Sequence, residues 1–299
     1  SNRPKPPKGI QVATHRNRDR DAINSSIFEE FCKKSAPKDG SVLDSAVLVL
    51  MDNLEMTNSV ASHVPVKSNA VKKHFYEHCS EDDVKMLNRM EGRLDTVLKL
   101  YSYCPLMLTR NSDVGNGEAN GSRVICQYVQ LKVGEDAFPL KLKCGTTVLG
   151  VYASQVDSIV VKHVVDDITP STFEVKPVSG KFAVDLKIRY ESKKVKMAGQ
   201  QFPLVSNSCT TGHKLQGSTC KSLLVNAFHY GQNWCYVVLS RVKTMSGLYL
   251  REKLSTDLSL YAMPQQMVEM LEKLRSKCGL SMISDEVYSE LLRETDIST

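Results

Sequence analysis

The chain has 299 residues, of which 41% are hydrophobic and 24% charged, and a formal net charge of +6. That is enough apolar material for one large or two modest globular domains, and wholesale disorder is excluded. The basic excess permits a nucleic-acid partner without requiring one. Nine cysteines at irregular spacing, with no CxxC pair, fit free thiols in a reducing compartment better than a disulfide framework or a zinc finger. No run of about 18 apolar residues occurs, so no membrane span is expected.

The first residues, SNRPKPPKG, lack the apolar core of a secretory signal and read as a basic, proline-rich linker. Because the chain opens on Ser, a processed or truncated piece is the expectation. IQVA (10–13) reads as a short buried strand. It leads through a loop into a helix with Ala22, Ile23, Ile27 and Phe28 on one face. AVLVLM (46–51) is a second apolar run. Two short helices are expected next, one capped by Ser68 or Asn69 and one by Ser80 with Asp83.

From Asp95 the pattern becomes strand-rich. VLKLYSYCPLMLT, RVICQYVQLKV, FPLKLK, TTVLGVYA, SIVVKHVV, FEVKP and FAVDLKIRY are separated by turn signals that include Asn120-Gly121. Short strands at turn-rich spacing point to a small antiparallel barrel. Past the basic stretch ESKKVKMAGQQ, α/β character returns. KSLLVNAF reads as a buried strand, GQNWCYVVLSRVKT as a helix and GLYLREKL as a last strand. Pro264 opens a tail helix with Met267, Met270, Leu271 and Leu274 on one face, and Ser284 caps another with Val287, Leu291 and Leu292. The fold class is therefore α/β, an α/β shell interrupted by a β-rich insertion. The expected segments are 1–100 (first α/β part with the linker), 101–196 (insertion), 197–254 (second α/β part) and 255–299 (helical tail).

Four constellations carry chemistry. HFYEH (74–78) puts His74, Glu77 and His78 at the spacing of an inverted zinc-peptidase motif, against the alternative of a solvated amphipathic helix. That alternative is preferred, so no metal site is expected. SGKF (179–182) is the nearest approach to a phosphate loop, but Val175 stands where the first Gly belongs and Phe182 where Ser or Thr would hold magnesium. It reads as a hairpin turn, and a complete nucleotide-hydrolysing site is not expected here. HRNRDR (15–20) places three arginines where a helix begins, with Asp19 and Asp21 as partial neutralisers. VVLSRV (237–242) presents Arg241 just past an apolar helical face, where an arginine is either a surface residue or one offered to a neighbouring domain's phosphoryl group.

Taken in order, IQVATHRNRDRDAIN, CPLMLTRNSDVGNGEANGSRV, PLVSNSCTTGHKLQGST and GQNWCYVVLSRVKTMSGLYL resemble the C-terminal half of PIF-type DNA helicases of superfamily one, with RecD-like helicases as more distant relatives. The resemblance is collinear over roughly 9–252. It implies the second RecA-like domain of a helicase, with an inserted small antiparallel β-barrel of the Src-homology-three type. In such a helicase two RecA-like domains clamp ATP and Mg2+ between them, and the first domain carries the phosphate loop.

The resemblance further implies roles for single residues. Arg241 would be the arginine finger and Gln216 a catalytic partner facing the ATP cleft. Gly217, Arg16 and Asn17, with Thr14, would lie near nucleotide. Thr211, His213, Lys214, Arg110 and Asn120 would contact or flank single-stranded DNA, with Asn111 and Gly121 in the same segment as Arg110. Basic residues spread through 187–196 suit a groove that tracks a strand. This chain departs from the family at two positions: Leu215 stands where Ser is more frequent, and Gly212 where a larger apolar residue is common.

The function expected is thus the C-terminal motor half of an ATP-dependent 5′-to-3′ DNA helicase. Its partners would be single-stranded DNA and the first RecA-like domain of the same protein, and its location intracellular, nuclear or mitochondrial in a eukaryote. Alone it would not hydrolyse ATP. The competing readings are a helicase-derived binding module without enzymatic activity, which a phosphate loop upstream would argue against, and the metallopeptidase, which metal analysis would reveal.

Overall fold

The computed structural model describes residues 5–58, 94–164, 172–188, 191–231, 234–262 and 265–278. The expected helices near Ser68 and Ser80, the HFYEH segment with His74, Glu77 and His78, and the helix capped by Ser284 lie outside the described residues. Among the described residues no helix is long and apolar enough to cross a membrane. The α/β class holds, with four sheets and three α-helices among those residues.

The organising element is a parallel sheet of four short strands: β1 (Gln11–Thr14), β14 (Cys209–Thr211), β15 (Leu223–Val225) and β16 (Leu248–Leu250). Its order is β14-β1-β15-β16, and every pairing is parallel. Parallel strands are covered on both faces, and β1 and β14 are buried at every position. Ala13, Leu215, Cys220, Leu223, Val225, Trp234 and Val238 make the core of this part.

Helix α1 (Asn17–Ser35) starts inside HRNRDR, two residues past its first residue. Its inward residues, Asp21, Phe28 and Cys32, fall seven and four positions apart, one helical stripe. The far end joins a second core, where Phe28 and Cys32 meet Leu43, Ala46, Leu48 and Val148 and where Phe31 stacks on Tyr101 at 4.5 Å. One helix therefore spans the parallel sheet and the β-rich part.

That β-rich part holds β2 (Leu43–Leu50), β3 (Asp52–Asn58), β4 (Val97–Tyr101), β5 (Pro105–Leu108), β6 (Arg123–Leu131), β7 (Phe138–Lys141), β8 (Thr147–Tyr152), β9 (Val156–His163), β10 (Thr172–Val175), β11 (Val178–Ile188), β12 (Glu191–Gln201) and β13 (Leu204–Ser206). They form sheets β10-β9-β6-β5-β13, β4-β2-β8-β7 and β11-β12-β3. Only β2 and β8 pair in parallel; the rest are antiparallel. Strand β2, inside 1–100, pairs with β4 on one side and with β8 on the other, and β12 runs unbroken past residue 196.

Two local expectations are corrected. VLKLYSYCPLMLT is two strands in two sheets, because the chain turns at Ser102–Tyr103, where Tyr103 takes a positive φ of 62°. SGKF is not a hairpin turn but lies inside β11, with Gly180 directly opposite Gly199 on β12. An eleven-position ladder satisfies the backbone through that glycine, so a local turn signal loses to the pairing around it.

Helix α2 (Trp234–Leu239), within the parallel part, buries Trp234, Cys235 and Val238. The last described helix, α3 (Gln265–Cys278), leaves Met270 and Leu274 exposed.

Candidate functional site

The carboxyl ends of β14, β1 and β15 converge at one edge of the parallel sheet, where ligands of such sheets bind. Thr14 and Thr211 are register partners at that edge. Each strand then runs directly into a segment of interest: His15–Asn17 after β1, Gly212–Gln216 after β14, and Asn226–Gly231 after β15.

The loop after β14 is a 3-10 turn over Gly212–Leu215. In that geometry positions three apart eclipse, so Gly212 and Leu215 share the inner face. Both are buried, while His213, Lys214 and Gln216 are exposed. Leu215, 2% exposed, roots the loop in the core, which accounts for an apolar residue where the resemblance predicts Ser. Gly212 is explained by Trp234: a β-carbon there would lie 2.3 Å from the indole Nε1. Trp234 fills the space that a side chain at 212 would need. Gly217 closes the loop at φ 76°, the left-handed region that glycine enters without strain.

The loop is fixed to the segment after α2. The Cys220 N–H donates to the Arg241 carbonyl at 2.7 Å, and Cys220 bridges Val242 in parallel. The half-buried Arg241 guanidinium donates to the Val237 carbonyl at 2.7 Å, the Ser218 carbonyl at 3.3 Å and Ser240 Oγ at 2.7 Å. A cation on the last carbonyls of a helix complements its C-terminus. The structure therefore bonds Arg241 to Ser218 and Cys220, just past Gln216 and Gly217, although they are distant in sequence.

On the α1 side Arg16 occupies the helix N-cap position and is exposed. Asn17 Oδ1 accepts from Arg20, which also pairs with Asp21 at 2.7 Å. One of the three arginines is thus engaged by its neighbours, and Arg16 and Arg18 face solvent. Thr14 is fully buried beneath them. Thr211 is likewise buried, at the root of the loop rather than on its surface. Arg110 donates to the Ser179 carbonyl at 3.3 Å, and the Asn120 N–H donates to Asn111 Oδ1 at 2.7 Å. These two belong to the β-rich part, where Arg110 follows β5 and reaches across to β11. The side chains of 187–196 lie outside the described ones.

Sequence reasoning passed over three residues that build this edge. Asn24 accepts from the Cys209 N–H at 2.7 Å and donates to the Ser206 and Cys209 carbonyls at 3.1 and 3.0 Å. It ties α1 to the crossing from β13 to β14. An asparagine on the inner side of a helix is the signal that would have found it. Asn24→Ala should cost about 1–3 kcal/mol, because three backbone groups lose their partner. Chemical denaturation would show it, and an unchanged midpoint would contradict it. The other two are His15 and His229, whose imidazoles stack at 3.6 Å with 16° between planes. Burial, then His229, His213 and Arg16, hold His15 below its ordinary 6.5, with Asp19 opposing. A strand end followed directly by His is the available signal for the first; the aromatic run Phe228–Tyr230 after β15 is that for the second. Burial pushes the Cys209 thiol to about 12, so it is an inert core thiol. No cluster of three or more metal-ligating side chains occurs among the described residues.

The arrangement defines an α/β domain that presents basic and amide-bearing loops at the carboxyl edge of a parallel sheet. Its fold is that of a helicase-type, Pif1 RecA-like domain. The chain is similar to the crystal structure of a Pif1 helicase from Candida albicans, with TM-score 0.51 and 18% identity over 91% of this chain and 52% of that one. It is also similar to Bacteroides Pif1 bound to single-stranded DNA, with TM-score 0.50 and 16% identity over 90% and 46%. The chain thus spans about half the length of these solved chains. At such identity the likeness is one of fold. No protein-family model and no curated protein sequence matches the chain.

Proposed function

We propose that this chain is the second motor half of an ATP-dependent 5′-to-3′ DNA helicase. It binds single-stranded DNA and supplies Arg241 to an ATP site that a first RecA-like domain completes. The observation that carries the reading is the Gly212–Leu215 turn at the carboxyl edge of the sheet, whose following residues Ser218 and Cys220 are bonded to Arg241.

The residues present fit one anionic face of a nucleotide. Gln216 and Gly217 are exposed donors, and Arg16 stands exposed at the start of α1. Arg241 rests on neutral carbonyl and hydroxyl oxygens. A phosphate oxygen is a stronger, charge-assisted acceptor than a carbonyl, so the guanidinium gains by exchanging partners. ATP, with Mg2+, supplies the transferable phosphoryl group when bound. The chain's own part is to orient donors toward it and to carry His213 and Lys214 on the same short turn. A nucleotide-facing Gln216 and a strand-facing Lys214 two residues away give a route by which cleft closure shifts the DNA grip.

Two measurements test the proposal. Single-strand affinity should fall with salt, log K against log salt sloping by about −0.7 for each phosphate contact. Lys214→Ala should flatten that slope by about one contact; a slope unchanged by the substitution removes Lys214 from the interface. The isolated chain should show no ATP turnover. DNA-stimulated turnover by this chain alone, abolished by Arg241→Ala, would overturn the half-site reading.

A further inference from the structure

The ends of three adjacent strands each deliver a histidine to the same edge. His213 follows β14, His15 follows β1 and His229 follows β15. The His15 and His229 rings are stacked face to face at 3.6 Å, and Trp234 meets both edge-on at 6.1 and 6.4 Å. His15 Nδ1 is buried with no hydrogen-bond partner. His229 is held from behind, its carbonyl accepting from Cys235 Sγ at 3.2 Å.

Resting on the proposed single-strand function, we propose that the His15–His229 stack is a proton-accepting phosphodiester subsite, in which binding of the nucleic-acid backbone is coupled to protonation of the stack. Two imidazoles at this separation resist carrying two positive charges. The charged and titratable groups facing His15 are His229 from the β15 loop, His213 from the turn after β14, and Arg16 and Asp19 from the start of α1. All but Asp19 oppose a charge on His15. The free edge therefore favours the neutral form of His15. A phosphodiester laid across it reverses that balance, since an anion within a few ångströms favours the imidazolium.

The sign follows from linkage. The proton-bound stack belongs to the complex and the neutral stack to the free chain. Binding then takes up protons, and affinity rises as pH falls through the window between the two protonation midpoints. Arginine and lysine contacts give the salt slope but no such pH slope.

The test is calorimetry of this chain with a deoxythymidine oligonucleotide, across pH 6 to 8 (roughly the imidazole range), in buffers of different ionisation enthalpy. The expected result is uptake of a fraction of a proton up to about one, with affinity rising up to tenfold per pH unit on acidification. His15→Gln should abolish uptake and flatten the pH dependence, whatever its affinity. In the unsubstituted chain, imidazole proton NMR should show the His15 midpoint rising when the oligonucleotide binds. Binding with no proton uptake overturns this proposal alone. So does an equal pH slope in the unsubstituted chain and in His15→Gln, or a slope that disappears only with His213→Gln. An oligonucleotide that fails to bind at any pH overturns the single-strand reading, and this subsite with it.

Discussion

Gly212→Val is expected to destabilise the chain by about 3 kcal/mol, the upper end for overpacking a filled core. The new β-carbon would sit 2.3 Å from Trp234 Nε1 and 2.9 Å from its Cδ1 and Cε2. Trp234 cannot retreat, because it is 3% exposed and packs edge-on against Phe228 at 5.5 Å and against the histidine stack. The damage reaches the candidate site directly, since the displaced residue opens the turn that presents His213, Lys214 and Gln216. Trp234→Leu should itself be costly, by about 3 kcal/mol, through the cavity left in the core. The double variant should cost less than the sum, by about 0.5–3 kcal/mol, because each change makes room for the other. Urea denaturation of the four proteins measures this. Additive losses would mean that the indole does not dictate glycine at 212.

On the proposed function, Arg241→Ala in a protein joining this chain to a first RecA-like domain should reduce ATP turnover by about 10³-fold or more, the range for an arginine that stabilises a transferring phosphoryl group. Its effect on folding should be small, about 1 kcal/mol. The carbonyls it serves lie at a half-buried position, and each lost bond to a neutral oxygen is worth roughly that much. Arg241→Lys keeps the charge but not the planar fork, so most of the turnover loss should remain. Turnover and thermal unfolding measured together separate the two roles of this side chain. A loss below about tenfold, with a clear fall in stability, would make Arg241 a clasp between α2 and Ser218 and nothing more.

Both predictions concern residues that the sequence singled out, and both needed the structure to acquire a physical reason. Arg241 was legible as an arginine beyond an apolar helix. That its guanidinium holds the Ser218 carbonyl was not, because a contact over that separation leaves no local pattern. Gly212 was legible only as a departure. The residue that requires it, Trp234, comes from the next helix, and no periodicity connects the two.

Sequence by itself determined the alternation of short β-runs and the α/β character at both ends. Those properties are local. They depend on side-chain spacing against a period of two or three residues and on where Gly must relieve the backbone. Tertiary structure decided strand neighbours: that β1 sits between β14 and β15, that β2 pairs with β8, and that a Gly-Lys pair continues a ladder instead of turning. It also decided which three histidines meet. Each follows the end of its own strand, and nothing in sequence links one to another. Parallel pairing brings such strand ends to one edge of a sheet however much chain separates them, and ligands of such sheets bind at that edge.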